Sequence, residues 1–143
     1  MLEITNLNAG YGHVHIIRDI SFKVDDGEVI AILGSNGAGK TTTIRAITGM
    51  IKPMSGSVKF NGVELCGKSS RAILDAGIIQ VPEGRQLFTE MTVHENLELG
   101  AFSEEAQRNF DESLHLCYKY FPKLLERTRQ IAGTLSGGEQ QMV

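Results

Sequence analysis

Gly34-Ser35-Asn36-Gly37-Ala38-Gly39-Lys40-Thr41 decides the fold, because it has the G-x-x-x-x-G-K-[ST] spacing of a phosphate-binding loop. Backbone amides can surround a chain of phosphates only where the loop wraps tightly, and its glycines permit that wrap. Lys40 is expected to place its charge on the β- and γ-phosphates, and the Thr41 hydroxyl to ligate Mg²⁺. The predicted nucleoside triphosphate site consists of Gly34, Ser35, Asn36, Gly37, Ala38, Gly39, Lys40, Thr41 and Thr42.

The residues on either side of this loop predict a strand and a helix. Residues 29–33 have no polar face, which is typical of a central strand covered on both sides, and residues 40–50 follow as a helix. Further strands are predicted over residues 2–7, 16–24, 57–60 and 78–81, with a short helix around residues 71–75. This alternation predicts an α/β domain with a β-rich N-terminal part and a largely parallel core sheet.

The pattern becomes helical after residue 83. Thr92 and Glu95 have the spacing of a capping box, and so do Ser136 and Glu139. Apolar residues at helical spacing then predict a buried helix face that ends at Pro122, namely Ala106, Phe110, Leu114, Cys117 and Phe121.

The composition disfavours several classes of protein. The chain has 143 residues and a net charge of −3, without the basic excess of a dedicated nucleic-acid binder. Its longest apolar run, residues 29–33, is too short to span a membrane, and the N-terminus lacks the pattern of a secretory signal. Cys66 and Cys117 are predicted to be free thiols in a reducing cytosol. The chain has no N-K-x-D element that would indicate a preference for guanine.

Four elements in order make the chain resemble the nucleotide-binding subunits of ABC transporters over nearly all of its length. They are Tyr11, the phosphate-binding loop, Val81-Pro82-Glu83-Gly84-Arg85, and the signature-like Leu135-Ser136-Gly137-Gly138-Glu139-Gln140-Gln141. A narrower likeness, to the ATPases of branched-chain amino acid importers, is carried by residues 9–12, 81–85 and 91–97. The resemblance implies the fold of a P-loop ABC ATPase, with a helical subdomain and with ATP as the nucleotide.

The resemblance also implies roles for residues outside the loop. Tyr11 would stack on adenine, the alternative being an ordinary half-buried aromatic residue. Ser136, Gly137, Gly138 and Glu139 would bind the γ-phosphate of ATP held by a partner subunit, so that two chains enclose two ATP molecules. The alternative for this segment is a simple helix cap.

The segment after residue 80 departs from the wider family. Glu83 stands where the family has a glutamine, and it is expected to ligate Mg²⁺ as a catalytic residue alongside Lys40. Gln80 is interpreted as a structural residue of a strand. Arg85 is interpreted either as a functional residue or as a solvated surface charge. By the resemblance, residues 86–88 lie where the family's membrane subunit docks. Leu87 and Phe88 could equally be buried core residues.

Hydrolysis also needs a carboxylate that holds Mg²⁺ and positions water, and in the family it lies downstream of the signature. The chain ends at Val143, four residues after Glu139, and Asp75 precedes the signature and is followed by Ala76. The expectation is therefore an ABC domain incomplete at its C-terminus and inactive by itself. Its ATP-binding core is expected over residues 1–82 and its mostly helical subdomain over residues 83–143.

These observations favour an ATP-binding subunit that drives the uptake of branched-chain amino acids. The expected partners are ATP, a second ABC ATPase subunit and transmembrane permease subunits, without nucleic acid. The expected location is cytoplasmic, on the inner face of the plasma membrane. Two alternatives stay open: a soluble ABC-type ATPase that acts on nucleic acid or ribosomes, which the charge disfavours, and a non-hydrolysing nucleotide-binding module.

Overall fold

The computed structural model describes residues 1–143, which form two compact units, Met1–Gln80 and Val81–Val143. The first unit contains strands β1 (Leu2–Tyr11), β2 (Val14–Val24), β3 (Ser55–Phe60) and β4 (Val63–Glu64), and helices α1 (Lys40–Ile47) and α2 (Ser70–Asp75). The second unit contains helices α3 (Val93–Gly100), α4 (Glu104–Arg108), α5 (Phe110–Tyr120), α6 (Pro122–Glu126) and α7 (Gly137–Met142), and a 3₁₀ turn at Ala132–Thr134.

Strand β1 lies inside a four-stranded sheet whose order is β2-β1-β3-β4, and all neighbouring strands are antiparallel. The hairpin between β1 and β2 pairs Tyr11 with Val14. The register shifts between Ile4 and Leu7, where Asn6 has a φ of +47°. Strict alternation would place Ile4 and Leu7 on opposite faces, so this irregularity allows both side chains to be buried.

The core of the first unit is formed by the sheet together with α1 and α2. Burial of each large aliphatic side chain there contributes about 1.5–3 kcal/mol. The buried residues are Ile4, Leu7, Ala9, Ile17, Ala46, Ile47, Val58, Leu65 and Ile73. This core fixes the start of α1 against β2, which positions the loop that precedes the helix.

The expectation of a largely parallel core sheet is wrong for these residues. Residues 29–33 form no strand, and Val29 and Leu33 are 95% and 88% exposed. Residues 78–81 also form no strand. The physical reason is that a strand requires a neighbour to satisfy its backbone donors and acceptors, and the four strands present pair only with one another. By contrast, the strands predicted over residues 2–7, 16–24 and 57–60 are confirmed as parts of β1, β2 and β3.

The second unit has a small core formed by Val93, Leu124 and Leu135. The capping box at the start of α3 is confirmed, because the Thr92 amide donates to Glu95 Oε2 at 2.7 Å and the Glu95 amide donates to Thr92 Oγ1 at 3.2 Å. No helix of the structure has both the length and the apolar character needed to cross a membrane.

The predicted buried helix face around residues 106–121 needs correction. Asn109 separates α4 from α5, and neither helix has a buried residue. Of the five apolar positions, four are half-buried and Phe121 is 41% exposed. Pro122 follows the end of α5 as predicted, but it also begins α6, where its fixed φ suits the first helical position. Helix α6 supplies Leu124 to the core, so the apolar spacing alone misidentified the buried residues.

Candidate functional site

The phosphate-binding loop runs into α1 without a side-chain cap. Gly39 is the N-cap, with a φ of +90°, and the first turn of the helix contains no acidic residue. The first amide groups of a helix have no partner within the helix, and its N-terminus carries a partial positive charge. The loop before it is folded by a hydrogen bond from the Ala38 amide to the Ser35 carbonyl at 3.2 Å. The arrangement suits an anion at the start of α1.

Gly39 is required for a second reason, which is its packing against β2. A Cβ built at this position would lie 2.5 Å from Cγ2 of Ile17, which is itself buried in the core. Gly37 has a φ of +84°, but a Cβ there would meet nothing within 4 Å. The two glycines therefore serve different purposes: Gly37 permits the turn, whereas Gly39 permits both the turn and the close approach to β2.

Lys40 lies over the loop that precedes it. Its Nζ donates hydrogen bonds to the carbonyls of Gly34 and Ser35, both at 2.8 Å. An ammonium group has three donors, so the loop holds the charge where phosphate oxygens can replace the two carbonyls. The contact of Lys40 with the β- and γ-phosphates stays a prediction from the sequence.

The threonines that follow Lys40 differ in exposure. Thr41 is exposed, whereas Thr42 and Thr43 are buried. The Thr43 hydroxyl donates to the Gly39 carbonyl at 3.0 Å and so stabilises the first turn of α1. Thr41 therefore presents the accessible hydroxyl of the three, as a metal ligand at this position requires.

Tyr11 is connected to α1 through Arg45, a residue that the sequence analysis did not single out. Arg45 Nη1 donates to the Tyr11 hydroxyl at 3.1 Å, and Tyr11 is 45% exposed at the end of β1. This hydrogen bond, followed by one with Thr42, lowers the pKa of the Tyr11 hydroxyl, while partial burial opposes the shift. The structure thus places Tyr11 beside the helix that begins at the loop. No signal in the sequence connects positions 11 and 45.

The signature segment lies in the second unit, where Ser136 is the N-cap of α7. The predicted capping box is confirmed: the Ser136 amide donates to Glu139 Oε2 at 2.9 Å, and the Glu139 amide donates to Ser136 Oγ at 3.4 Å. Glu139 also forms an ion pair with Arg127 at 3.1 Å. Hydrogen bonds with Ser136 are the main cause of the lowered pKa of the Glu139 carboxyl. Glu139 therefore stabilises the segment, at whose start Ser136 and Gly138 are exposed and Gly137 is half-buried.

Glu83 and Gln80 lie in different units of the structure. Glu83 is exposed, in a turn with Gly84. Gln80 is half-buried, and its Oε1 accepts a hydrogen bond from the Thr48 hydroxyl at 3.0 Å. Gln80 thus has a structural contact, as interpreted from the sequence, but it is not in a strand. Phe88 is 59% exposed and is not a core residue, whereas Leu87 is half-buried.

Comparison with known proteins identifies the family of the chain. The profile of the ABC transporter family matches residues 17–143, and the chain belongs to this family. It is 41% identical to the high-affinity branched-chain amino acid transport ATP-binding protein BraG of Pseudomonas aeruginosa, covering 100% of this chain and 61% of that protein. It is 36% identical to the probable branched-chain amino acid transport ATP-binding protein LivF of Archaeoglobus fulgidus, covering 100% of this chain and 60% of that protein.

Solved structures show the same fold. An ATP-binding subunit of an ABC transporter superposes with a TM-score of 0.78 at 31% identity, over 99% of this chain and 58% of that one. A nucleotide-free ATP-binding cassette from an ABC transporter superposes with a TM-score of 0.76 at 30% identity, over 97% of this chain and 60% of that one. The expected ABC ATPase fold is therefore confirmed. The chain spans about 60% of the length of the curated relatives that it matches.

Proposed function

We propose that the protein containing this chain is the ATP-binding subunit of an ABC importer, and that it couples ATP binding and hydrolysis to the uptake of branched-chain amino acids. The observation that carries the ATP-binding part is the position of the Lys40 ammonium on the carbonyls of Gly34 and Ser35, beside the uncapped start of α1. The transported class is supported by relatives at 41% and 36% identity that are named as branched-chain amino acid transport proteins.

In this proposal each part of the loop meets a different part of ATP. Lys40 exchanges its two carbonyl acceptors for oxygens of the β- and γ-phosphates, where its full charge opposes theirs. The first amides of α1 donate to the phosphates from the end of the helix that is partly positive. Tyr11, whose hydroxyl is held by Arg45, offers its ring to the adenine.

The donor set of the loop also fits Mg²⁺ that arrives with ATP. No group of three or more His, Cys, Asp and Glu side chains lies close enough to hold a metal ion by itself. Mg²⁺ in nucleotide sites is instead bound by one or two protein oxygens, phosphates and water. The exposed Thr41 hydroxyl is such an oxygen. For the exposed Glu83 carboxylate, Mg²⁺ ligation stays a prediction from the sequence. Bound Mg²⁺ neutralises negative charge on the phosphates.

The proposal includes two kinds of protein partner. A second ABC ATPase subunit, either another copy or a different chain, would receive the Ser136–Gly138 segment on its bound ATP. Transmembrane permease subunits would hold the protein at the cytoplasmic face of the plasma membrane. The exposed Phe88 beside half-buried Leu87 offers an apolar contact for such a subunit.

Uptake measurements in whole cells test the proposed function. A strain that lacks the full-length protein should lose ATP-dependent uptake of labelled leucine, isoleucine and valine, and should regain it when the gene is restored. Uptake of labelled ribose serves as the control and should not change. The protein should also co-purify with a polytopic membrane protein. Normal branched-chain uptake in the deletion strain, with co-purification of ribosomes instead, would favour the soluble ATPase.

Replacement of Tyr11 by alanine should weaken the binding of ATP and GTP alike, by about 1–3 kcal/mol, because stacking depends little on the identity of the base. Tyr11→Phe should retain most of the affinity, since the ring remains and only the hydrogen bond from Arg45 is lost. Titration calorimetry with the full-length protein measures both nucleotides. Unchanged affinity for both in Tyr11→Ala would show that Tyr11 is not the adenine platform.

A further inference from the structure

Arg85 has a backbone conformation that residues with a side chain seldom adopt. Its φ is +59°, and it follows Gly84, whose φ is +89°. A Cβ in the left-handed region is crowded by the neighbouring carbonyl, so glycine would be the favoured residue at position 85. Such a strained conformation persists only where surrounding contacts hold it, and the Arg85 side chain supplies contacts of this kind.

The Arg85 guanidinium packs on the signature helix within the second unit. Its Nη1 donates to Gln140 Oε1 at 3.3 Å. A Cβ built on Gly137 would lie 2.9 Å from Nη1 and 3.2 Å from both Cζ and Nη2. The guanidinium plane therefore occupies the space that a side chain at position 137 would take, and glycine is what allows the contact.

The opposite end of Gln140 connects back to the segment that carries Arg85. Gln140 Nε2 donates to the carbonyls of Ala132 at 3.2 Å and of Gly133 at 3.4 Å. The Gly133 amide in turn donates to the Thr89 carbonyl at 2.9 Å, and a Cβ on Gly133 would lie 2.8 Å from that oxygen. Residues 85–89 are thus connected to Gln140 of α7 twice, directly through Arg85 and indirectly through Thr89 and Gly133.

We propose that Arg85 is a positioning residue for the signature segment, which it holds in the orientation that engages a partner subunit's nucleotide. The inference rests on the proposed function, because that function assigns the segment to a phosphate on the partner. The backbone conformation at position 85 directs the guanidinium toward α7. Gly137 has no side chain and so leaves room for the guanidinium. Arg85 acts through Gly137 and Gln140.

Arg85→Gly separates this role from a purely structural one. Glycine adopts the same φ without strain, which offsets the greater freedom that it gives the unfolded chain, so the variant should melt close to the wild-type temperature. In the full-length protein we expect unchanged KM for ATP, together with about tenfold lower kcat and weaker ATP-driven dimerisation. Arg129→Ala, which removes another exposed arginine of the same unit, should leave all four measurements at wild-type values.

Gly137→Ala provides an independent arm of the test. Alanine suits a helix better than glycine, but here its Cβ displaces the guanidinium. The variant should therefore also lose dimerisation. The double variant with Arg85→Gly should lose no more than the more impaired single variant, since both changes remove one contact. Gly100→Ala is the matched control, because a Cβ there meets nothing within 4 Å.

Two results overturn the positioning role: wild-type kcat and dimerisation in Arg85→Gly, or losses that add in the double variant. A wild-type protein that fails to hydrolyse ATP contradicts the proposed function instead. The role of Arg85 is then decided by amide hydrogen exchange over residues 137–140. Arg85→Gly should accelerate that exchange and Arg129→Ala should not, and unchanged exchange in Arg85→Gly overturns the inference.

Discussion

Lys40→Ala is expected to lower ATP turnover in the full-length protein by at least two orders of magnitude, which is about 3 kcal/mol. The substitution removes the one ammonium group that the loop holds on the carbonyls of Gly34 and Ser35. Loss of a charged donor to a transferring phosphoryl group costs about 3–4 kcal/mol of transition-state stabilisation, which is a factor of roughly a hundred to a thousand in rate. Phosphate release measures the turnover, and titration calorimetry measures the accompanying loss of ATP affinity.

A matched lysine controls for the loss of positive charge in general. Lys68 is exposed in the same unit and lies outside the loop, so Lys68→Ala should turn over ATP at the wild-type rate. Circular dichroism should show that Lys40→Ala remains folded, because its Nζ contacts only exposed loop carbonyls. Turnover by Lys40→Ala at the level of the Lys68→Ala protein would refute the assignment of the phosphate-binding loop.

Ser136→Arg is expected to leave ATP binding by the subunit nearly intact and to block nucleotide-driven dimerisation. The residue lies at the exposed start of α7, which the proposal places on the γ-phosphate of a partner subunit. An arginine side chain there fills the space that the partner nucleotide needs. Light scattering of the full-length protein with and without ATP measures the dimer.

The substitution also removes the helix cap, which costs about 1 kcal/mol. Ser103→Arg provides the control for that loss, because Ser103 caps α4 in the same unit and accepts from the Ala106 amide at 3.2 Å. Ser103→Arg should dimerise normally. An ATP-dependent dimer of Ser136→Arg would contradict the proposed role of Ser136 at the partner's nucleotide. If neither variant dimerises, the loss of the helix cap explains the effect.

Local patterns in the sequence predicted much of what the structure contains. The glycine and lysine spacing placed the loop before α1, and local strand patterns placed parts of β1, β2 and β3. Both capping boxes were correct, because the hydrogen bonds of a capping box join residues only three positions apart. In each case the residues that decide the structure are neighbours in the chain.

Pairing between distant segments could not be predicted in the same way. The apolar run of residues 29–33 has the composition of a buried strand, but composition does not supply the neighbour that a strand needs. The same reason explains why Arg45 was missed and why no contact was predicted for Arg85. Arg45 meets Tyr11 across 34 positions, and Arg85 meets Gln140 across 55. Neither contact leaves a periodic signal in the sequence.

The contacts of Lys40 with its own loop carry a consequence for discrimination among ligands. Any ligand of this loop competes with two carbonyl oxygens that already accept from the ammonium at 2.8 Å. An adenosine offers no more than those carbonyls, since its hydrogen-bond acceptors are also uncharged. A polyphosphate offers several full negative charges, whose Coulomb attraction to the ammonium exceeds that of a neutral carbonyl. A ligand therefore needs enough negative charge to displace the two carbonyls from Lys40. A triphosphate has that charge, whereas a nucleoside does not.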